Sequence, residues 1–170
     1  MGAHQFLTVS VVETPPPAKA LKQYLDYHRT HPKDRPLVPH TSAPLIGSAV
    51  KTVAGKPAYC EKALAQIAFT AARREAQYEH GHGGYTGTIA EKGRFVMVPF
   101  PEKATEALVR RILTAGSGVE QLLSFALEDP TTRRLYDDKW GPACCLSLGT
   151  RPKRGWPKEW VFVFFGLASS

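Results

Sequence analysis

The sequence predicts a single α+β domain in which an antiparallel β-sheet carries helices packed mainly on one face. Three observations point there. The chain has 170 residues, 43% of them hydrophobic and 22% charged, which suits one globular unit with a packed core. Apolar stretches of strand and helix period follow one another in the order β–α–α–ββ–ααα–ββ. Neighbouring strands are joined by short loops, and short loops favour antiparallel pairing.

Residues 5–13 alternate as a strand, with Phe6, Thr8, Ser10 and Val12 on one side and Leu7, Val9 and Val11 on the other. Pro15, Pro16 and Pro17 stop it, because proline gives a sheet no N–H. A short helix is expected over residues 18–30, with Leu21, Tyr24, Leu25 and His28 on one face. Residues 31–56, with prolines at 32, 36, 39 and 44, read as a long loop. The clearest helix spans residues 57–78. Pro57 suits its first position, and Cys60, Ala63, Leu64, Ile67, Ala68 and Ala71 form its apolar stripe, extended by Tyr78.

Residues 85–91 and 94–100 read as strands joined at Lys92-Gly93. A helix over 102–115 follows Pro101. Ser117 and Glu120 make a capping box for a second, over 119–127, and Asp129-Pro130 opens a third toward Tyr136. Residues 143–148 and 160–167 are apolar runs of strand type flanking the basic loop TRPKRGWPKE.

The formal charge is +7, and its distribution matters more than its sum. Residues 1–56 carry +4, residues 57–150 are neutral with eleven charges of each sign, and residues 151–170 carry +3. An excess confined to the two ends points to a polyanion or an acidic partner. The three cysteines, Cys60, Cys144 and Cys145, form no CxxC and leave one over, which argues against a disulfide framework or zinc ribbon and for a reducing cytoplasm. No apolar run has the length of a membrane span, and the N-terminus lacks the pattern of a signal peptide, so no membrane partner is expected.

The densest chemistry is EHGHGGYTGT, residues 79–88. His80 and His82 form an HxH pair, but a metal needs a further ligand and no companion motif supplies one, so no metal is assigned. Backbone N–H groups of Gly83 and Gly84, with Tyr85, the hydroxyls of Thr86 and Thr88, and Arg73 or Arg74, are candidates to hold a phosphate. The loop follows a helix and precedes a strand, the reverse of a helix-dipole anion site, so a plain helix-to-strand turn is the simplest reading. If the chain is an enzyme acting on a phosphate-containing substrate, His80 or His82 is the candidate general acid or base.

The second candidate is cationic. Arg151, Lys153, Arg154 and Trp156 in the C-terminal loop, with Arg29, Lys33 and Arg35 nearer the N-terminus, combine phosphate-neutralising charge with an aromatic face for stacking. They suit nucleic acid, a nucleotide or an acidic protein surface. The competing reading is a solvated hairpin tip with Trp156 folded back on the sheet. Asp137-Asp138 is a third candidate, for a divalent cation, against the commoner helix end followed by a turn. The HxT/S pairs at His28 and His40 resemble the motifs of two-histidine phosphoesterases, but they lie too close together for two lobes.

Three islands, GGYTGTIAEK (83–92), DKWGPA (138–143) and FFGLASS (164–170), resemble small bacteriophage-encoded proteins. The resemblance implies no activity and no catalytic residue. It implies a phage or mobile-element context in bacterial cytoplasm, where an inhibitory protein–protein role is a further alternative, and it implies that the three islands adjoin at a sheet edge.

Overall fold

A computed structural model describes residues 2–14, 50–53, 56–80, 86–155 and 157–169. The elements are β1 (Ala3–Thr14), β2 (Val50–Val53), β3 (Lys56–Tyr59), α1 (Glu61–His80), a 3-10 turn (Ile89–Glu91), β4 (Phe95–Met97), α2 (Glu106–Ala115), α3 (Val119–Ala126), α4 (Pro130–Asp137), β5 (Ala143–Thr150) and β6 (Lys158–Ser169). The fold is α+β. The helix expected over 18–30 and most of the proline-rich segment lie outside the described residues.

The main sheet has the order β1-β6-β5-β4 and is mostly antiparallel. The period-two alternation of β6 builds both faces. Phe162, Phe164 and Ala168 pack with Phe6 and Val12 of β1 against Leu64, Ala68, Phe69 and Ala72 of α1. Val161, Val163 and Phe165 join Leu146 and Leu148 of β5 against Leu108, Ile112, Leu122 and Tyr136 of the other helices. Three of the four described helices therefore share one face, and the long α1 covers the opposite one. Ring centroids of Phe69, Phe95 and Phe164 lie 5.1 to 5.7 Å apart, an aromatic knot joining α1 to two strands. Ser10 Oγ donates to the Ala68 carbonyl at 3.0 Å, so this polar residue buried between β1 and α1 is satisfied.

One pairing departs from the expected sheet. β4 runs parallel to β5, with Phe95 opposite Ala143 and Met97 opposite Cys145. Of the residues expected to form a strand over 85–91, those described, 86–91, instead make a bend and the 3-10 turn, so Lys92-Gly93 is not a hairpin. Parallel neighbours need a long crossover. Helices α2, α3 and α4 are that crossover, which explains why they lie together on one face.

Helix starts differ from the sequence reading for local reasons. Residues around Pro57 pair with β2 as strand β3, Thr52 opposite Pro57, so α1 begins only at Glu61. Tyr78 does not extend its stripe and is 89% exposed. α2 starts at Glu106 because Thr105 caps it, accepting from Leu108 N at 3.1 Å. At α3 the cap is Gly118, not Ser117. Its φ is +103°, and a Cβ there would stand 2.8 Å from Leu108 Cδ1, so the helix–helix corner admits only glycine.

Asp129 caps α4, its Oδ2 accepting from Thr132 N and Thr132 Oγ1, both at 2.9 Å. The backbone hydrogen bond from Thr132 is the main reason its carboxyl is held below the ordinary aspartate value, and the side-chain bond adds to it. A carboxylate depressed in the folded state stabilises above its unfolded pKa and loses that contribution as pH falls through its folded value. Acidification from about pH 5 to about pH 2 should therefore lower the amide protection of Thr132 relative to α2. Asp129→Asn keeps a capping oxygen and should abolish this acid response. An unchanged response in that variant would remove the assignment to the Asp129 charge.

Candidate functional site

The glycine-rich loop is reached from α1, which ends at His80. His82, Gly83, Gly84 and Tyr85, and the His80 side chain, lie outside the described residues. From Thr86 onward the loop's polar groups satisfy one another. Thr86 N donates to Glu91 Oε1 at 2.8 Å, and Thr86 Oγ1 reaches the same oxygen at 3.1 Å. The two hydroxyls of Thr86 and Thr88 share a 2.8 Å hydrogen bond, and Thr88 Oγ1 also accepts from Ala90 N as the cap of the 3-10 turn. A phosphate entering here would meet the Glu91 carboxylate. Gly87, at φ +69°, donates its N–H to the Ser169 carbonyl at 2.8 Å, docking the loop on the end of β6.

The arginines assigned to this loop do not complete an anion site. Arg73 is half-buried with its guanidinium carbon 5.9 Å from the Phe69 ring centroid, and Arg74 is exposed. The nearby cleft between β1 and α1 is lined by Gln5, Thr8, Glu75, Glu79 and Thr88 among others, and its charged groups are carboxylates. That field favours cations over phosphate.

Next to the loop, Lys92 is 1% exposed. Its ammonium donates to the carbonyls of Asp138, Lys139 and Gly141 at 3.2, 3.1 and 3.0 Å and lies 5.9 Å from the Phe6 ring centroid. Its pKa is pushed down by burial, opposed chiefly by the charge of Asp138. Gly166 faces Phe6, and a Cβ there would stand 3.2 Å from the ring and 4.0 Å from Lys92 Cε. Residues 83–92, 138–143 and 164–170 thus meet where described, through Lys92, the turn before β5 and the end of β6.

The acids of that turn have partners within the chain. Asp137 pairs with Arg133 at 3.2 Å, and Asp138 Oδ1 accepts from Trp140 N at 3.1 Å. No group of three or more His, Cys, Asp or Glu suited to a metal occurs among the described residues. Cys144 and Cys145 are fully buried, and burial pushes their thiols to about 11 and about 12, so neither is a nucleophile near neutrality.

The basic loop joins β5 to β6, and it is pinned at its base. Gly149, at φ +74°, sits in the register shift between Ser147 and Thr150, a bulge that twists the hairpin. Arg151 N donates to the Glu159 carbonyl at 2.9 Å, and its guanidinium pairs with Glu159 Oε2 at 3.1 Å. Trp160 Nε1 donates to Thr14 Oγ1 at 3.0 Å, tying the same base to β1. At the tip, Lys158 Nζ donates to the Lys153 carbonyl at 2.6 Å. Lys153 and Arg154 are exposed, and neither side chain has a partner among the described residues. Of the residues assigned to a polyanion, Arg151 is thus partly committed to structure. Arg29, Lys33, Arg35 and Trp156 lie outside the described residues.

Two residues missed in the sequence stand beside this hairpin. A cleft of about 630 Å³ between α2 and the outer end of β5 is lined by Phe100, Val109, Leu113, Leu148, Pro152 and Arg110 among others. Phe100 is 42% exposed. Its signal was present as Pro99-Phe100-Pro101, an aromatic between two rings that fix φ, but 94–100 read as a continuous strand. Among the described residues, no helix is long and apolar enough to cross a membrane. Comparison with protein-family models, with known proteins and with solved structures returned no match.

Replacing Lys92 with methionine keeps most of the stem and leaves three carbonyls without their donor. The expected loss is about 3 kcal/mol of unfolding free energy, read from urea midpoints at unchanged slope. A variant as stable as the parent would show that the ammonium does not hold the turn. Separately, an Ellman titration of the native protein at about pH 8 should leave Cys144 and Cys145 unreacted until denaturant is added. Fast modification of both in the native state would contradict their burial.

Proposed function

We propose that this chain is a binding protein for a polyanion, and that nucleic acid is the ligand engaged by the β5–β6 hairpin. The observation that carries the reading is the pair of exposed cations, Lys153 and Arg154, on a hairpin whose base is fixed by the Arg151–Glu159 pair. Cations held in place without acidic partners neutralise phosphates and release their counterions, the dominant sequence-independent term in nucleic-acid binding. The net +3 of residues 151–170 and +4 of residues 1–56 support the same assignment. Arg29, Lys33, Arg35 and Trp156 belong to this proposal as further contacts. So does work in bacterial cytoplasm as a phage or mobile-element protein, on the three islands that resemble such proteins.

Two other ligands, a free nucleotide and an acidic protein surface, compete for the same charges. The extended, exposed cation pair suits a linear array of phosphates better than one small anion, which is usually enclosed in a pocket. Turnover of a phosphate-containing substrate at residues 79–88 draws less support, because the described hydroxyls there are engaged with each other and with Glu91.

Fluorescence anisotropy with labelled single- and double-stranded DNA and RNA at several salt concentrations tests the reading. Affinity should fall log-linearly with salt. Removing both cations, Lys153→Ala with Arg154→Ala, should flatten the single-strand slope by about 1.4, at roughly 0.7 per phosphate. Absence of binding at low salt, or a slope indifferent to the double substitution, would sink it.

A further inference from the structure

We infer that the cleft between α2 and the outer end of β5 is a base-stacking subsite for single-stranded nucleic acid, with Phe100 as the platform and Arg110, Lys153 and Arg154 meeting the flanking phosphates. This rests on the polyanion reading and deepens it.

Four features of the cleft point the same way. Its floor is apolar, made by Val109, Leu113 and Leu148. Phe100 opens onto it at 42% exposure, where a large apolar side chain is normally covered. Pro99 fixes its own φ and Pro101 restricts the backbone of Phe100, so little backbone entropy is lost when a ligand lands there. β4 ends at Met97 and leaves the outer half of β5 unpaired on that side by any described strand, so no strand closes the cleft there.

The charges then choose the occupant. Arg110 lines the cleft and has no side-chain partner among the described residues. Pro152 forms part of the wall, and Lys153 and Arg154 follow it directly along the hairpin. An apolar floor with an aromatic platform and cations on its rim matches a flat base with a phosphate on either side. An unpaired base is required, since a base within a duplex offers no free face. Glu106 also lines the cleft, at the first turn of α2. Its carboxylate repels phosphate from that end and accepts from the exocyclic amino group of a base.

The test compares Phe100→Ala, Phe100→Trp and Arg110→Gln with the parent chain, using labelled single-stranded and duplex oligonucleotides of one sequence across a salt series. Phe100→Ala should weaken single-strand binding about tenfold or more while leaving the salt slope and duplex affinity unchanged. Phe100→Trp should retain binding, and Arg110→Gln should flatten the single-strand slope by about 0.7. Should Phe100→Ala fail to fold, Phe100→Leu keeps the apolar volume without a stacking face and carries the same comparison. Salt-dependent binding that ignores the loss of the Phe100 ring overturns the subsite and leaves the polyanion reading standing. Equal losses on duplex and single strand overturn stacking. Binding of an acidic peptide with no binding of any oligonucleotide overturns both.

Discussion

The buried ammonium of Lys92 is the contact on which the arrangement of this protein most depends. Removing a charge from water is costly, and it persists only where hydrogen bonds replace the lost solvation. Lysine has three N–H donors, and three carbonyls of the turn between α4 and β5 receive them. The turn that it fixes delivers Ala143, whose N–H bonds the Arg94 carbonyl at 3.0 Å and begins the β4–β5 pairing. β5 in turn sets the register of β6 as far as Thr150 opposite Trp160, at the base of the basic hairpin. One side chain thus orders the segments between the glycine-rich loop and the cationic tip.

The parallel β4–β5 pair has a second consequence. Its crossover is three short helices, so the face they cover is built from several separate contacts. The opposite face is closed by the single long α1, with alanines at 65, 68, 71, 72 and 76 allowing close approach. The apolar cleft beside Phe100 lies on the segmented side, between α2 and the end of β5. The fold places an open groove where the crossover begins.

Local signals carried much of this fold in the sequence. The alternation in β1, the stripe of α1 and the cap and proline of α4 are governed by neighbours a few residues away, and each element lies close to where its pattern put it. What failed was governed by specific pairings that residue type does not reveal, some a few residues away and some distant in the chain. Pro57 suited a helix start until β2 paired with it. Lys92-Gly93 suited a hairpin until carbonyls 46 to 49 residues away claimed the lysine. Thr86 and Thr88 suited an anion site until Glu91 took the amide and hydroxyl of Thr86, and the Thr88 hydroxyl bonded Thr86 and the Ala90 N–H. The basic loop was visible as composition, whereas the cleft next to it was not, because Phe100 and Arg110 approach β5 only through tertiary packing.

Charge counting shows the same division. The neutral middle of the chain is neutral in space as well as in number where its ions pair, as Lys103 does with Glu128 and Arg133 with Asp137. In the C-terminal segment the only acid, Glu159, is taken by Arg151, the cation nearest the hairpin base. That pairing leaves the segment's excess charge on Lys153, Arg154 and Lys158, carried outward by a hairpin twisted at Gly149. A surface ion pair adds little stability by itself. Here its larger effect is to assign positions: one arginine becomes structure, while Lys153 and Arg154 stay exposed beyond it.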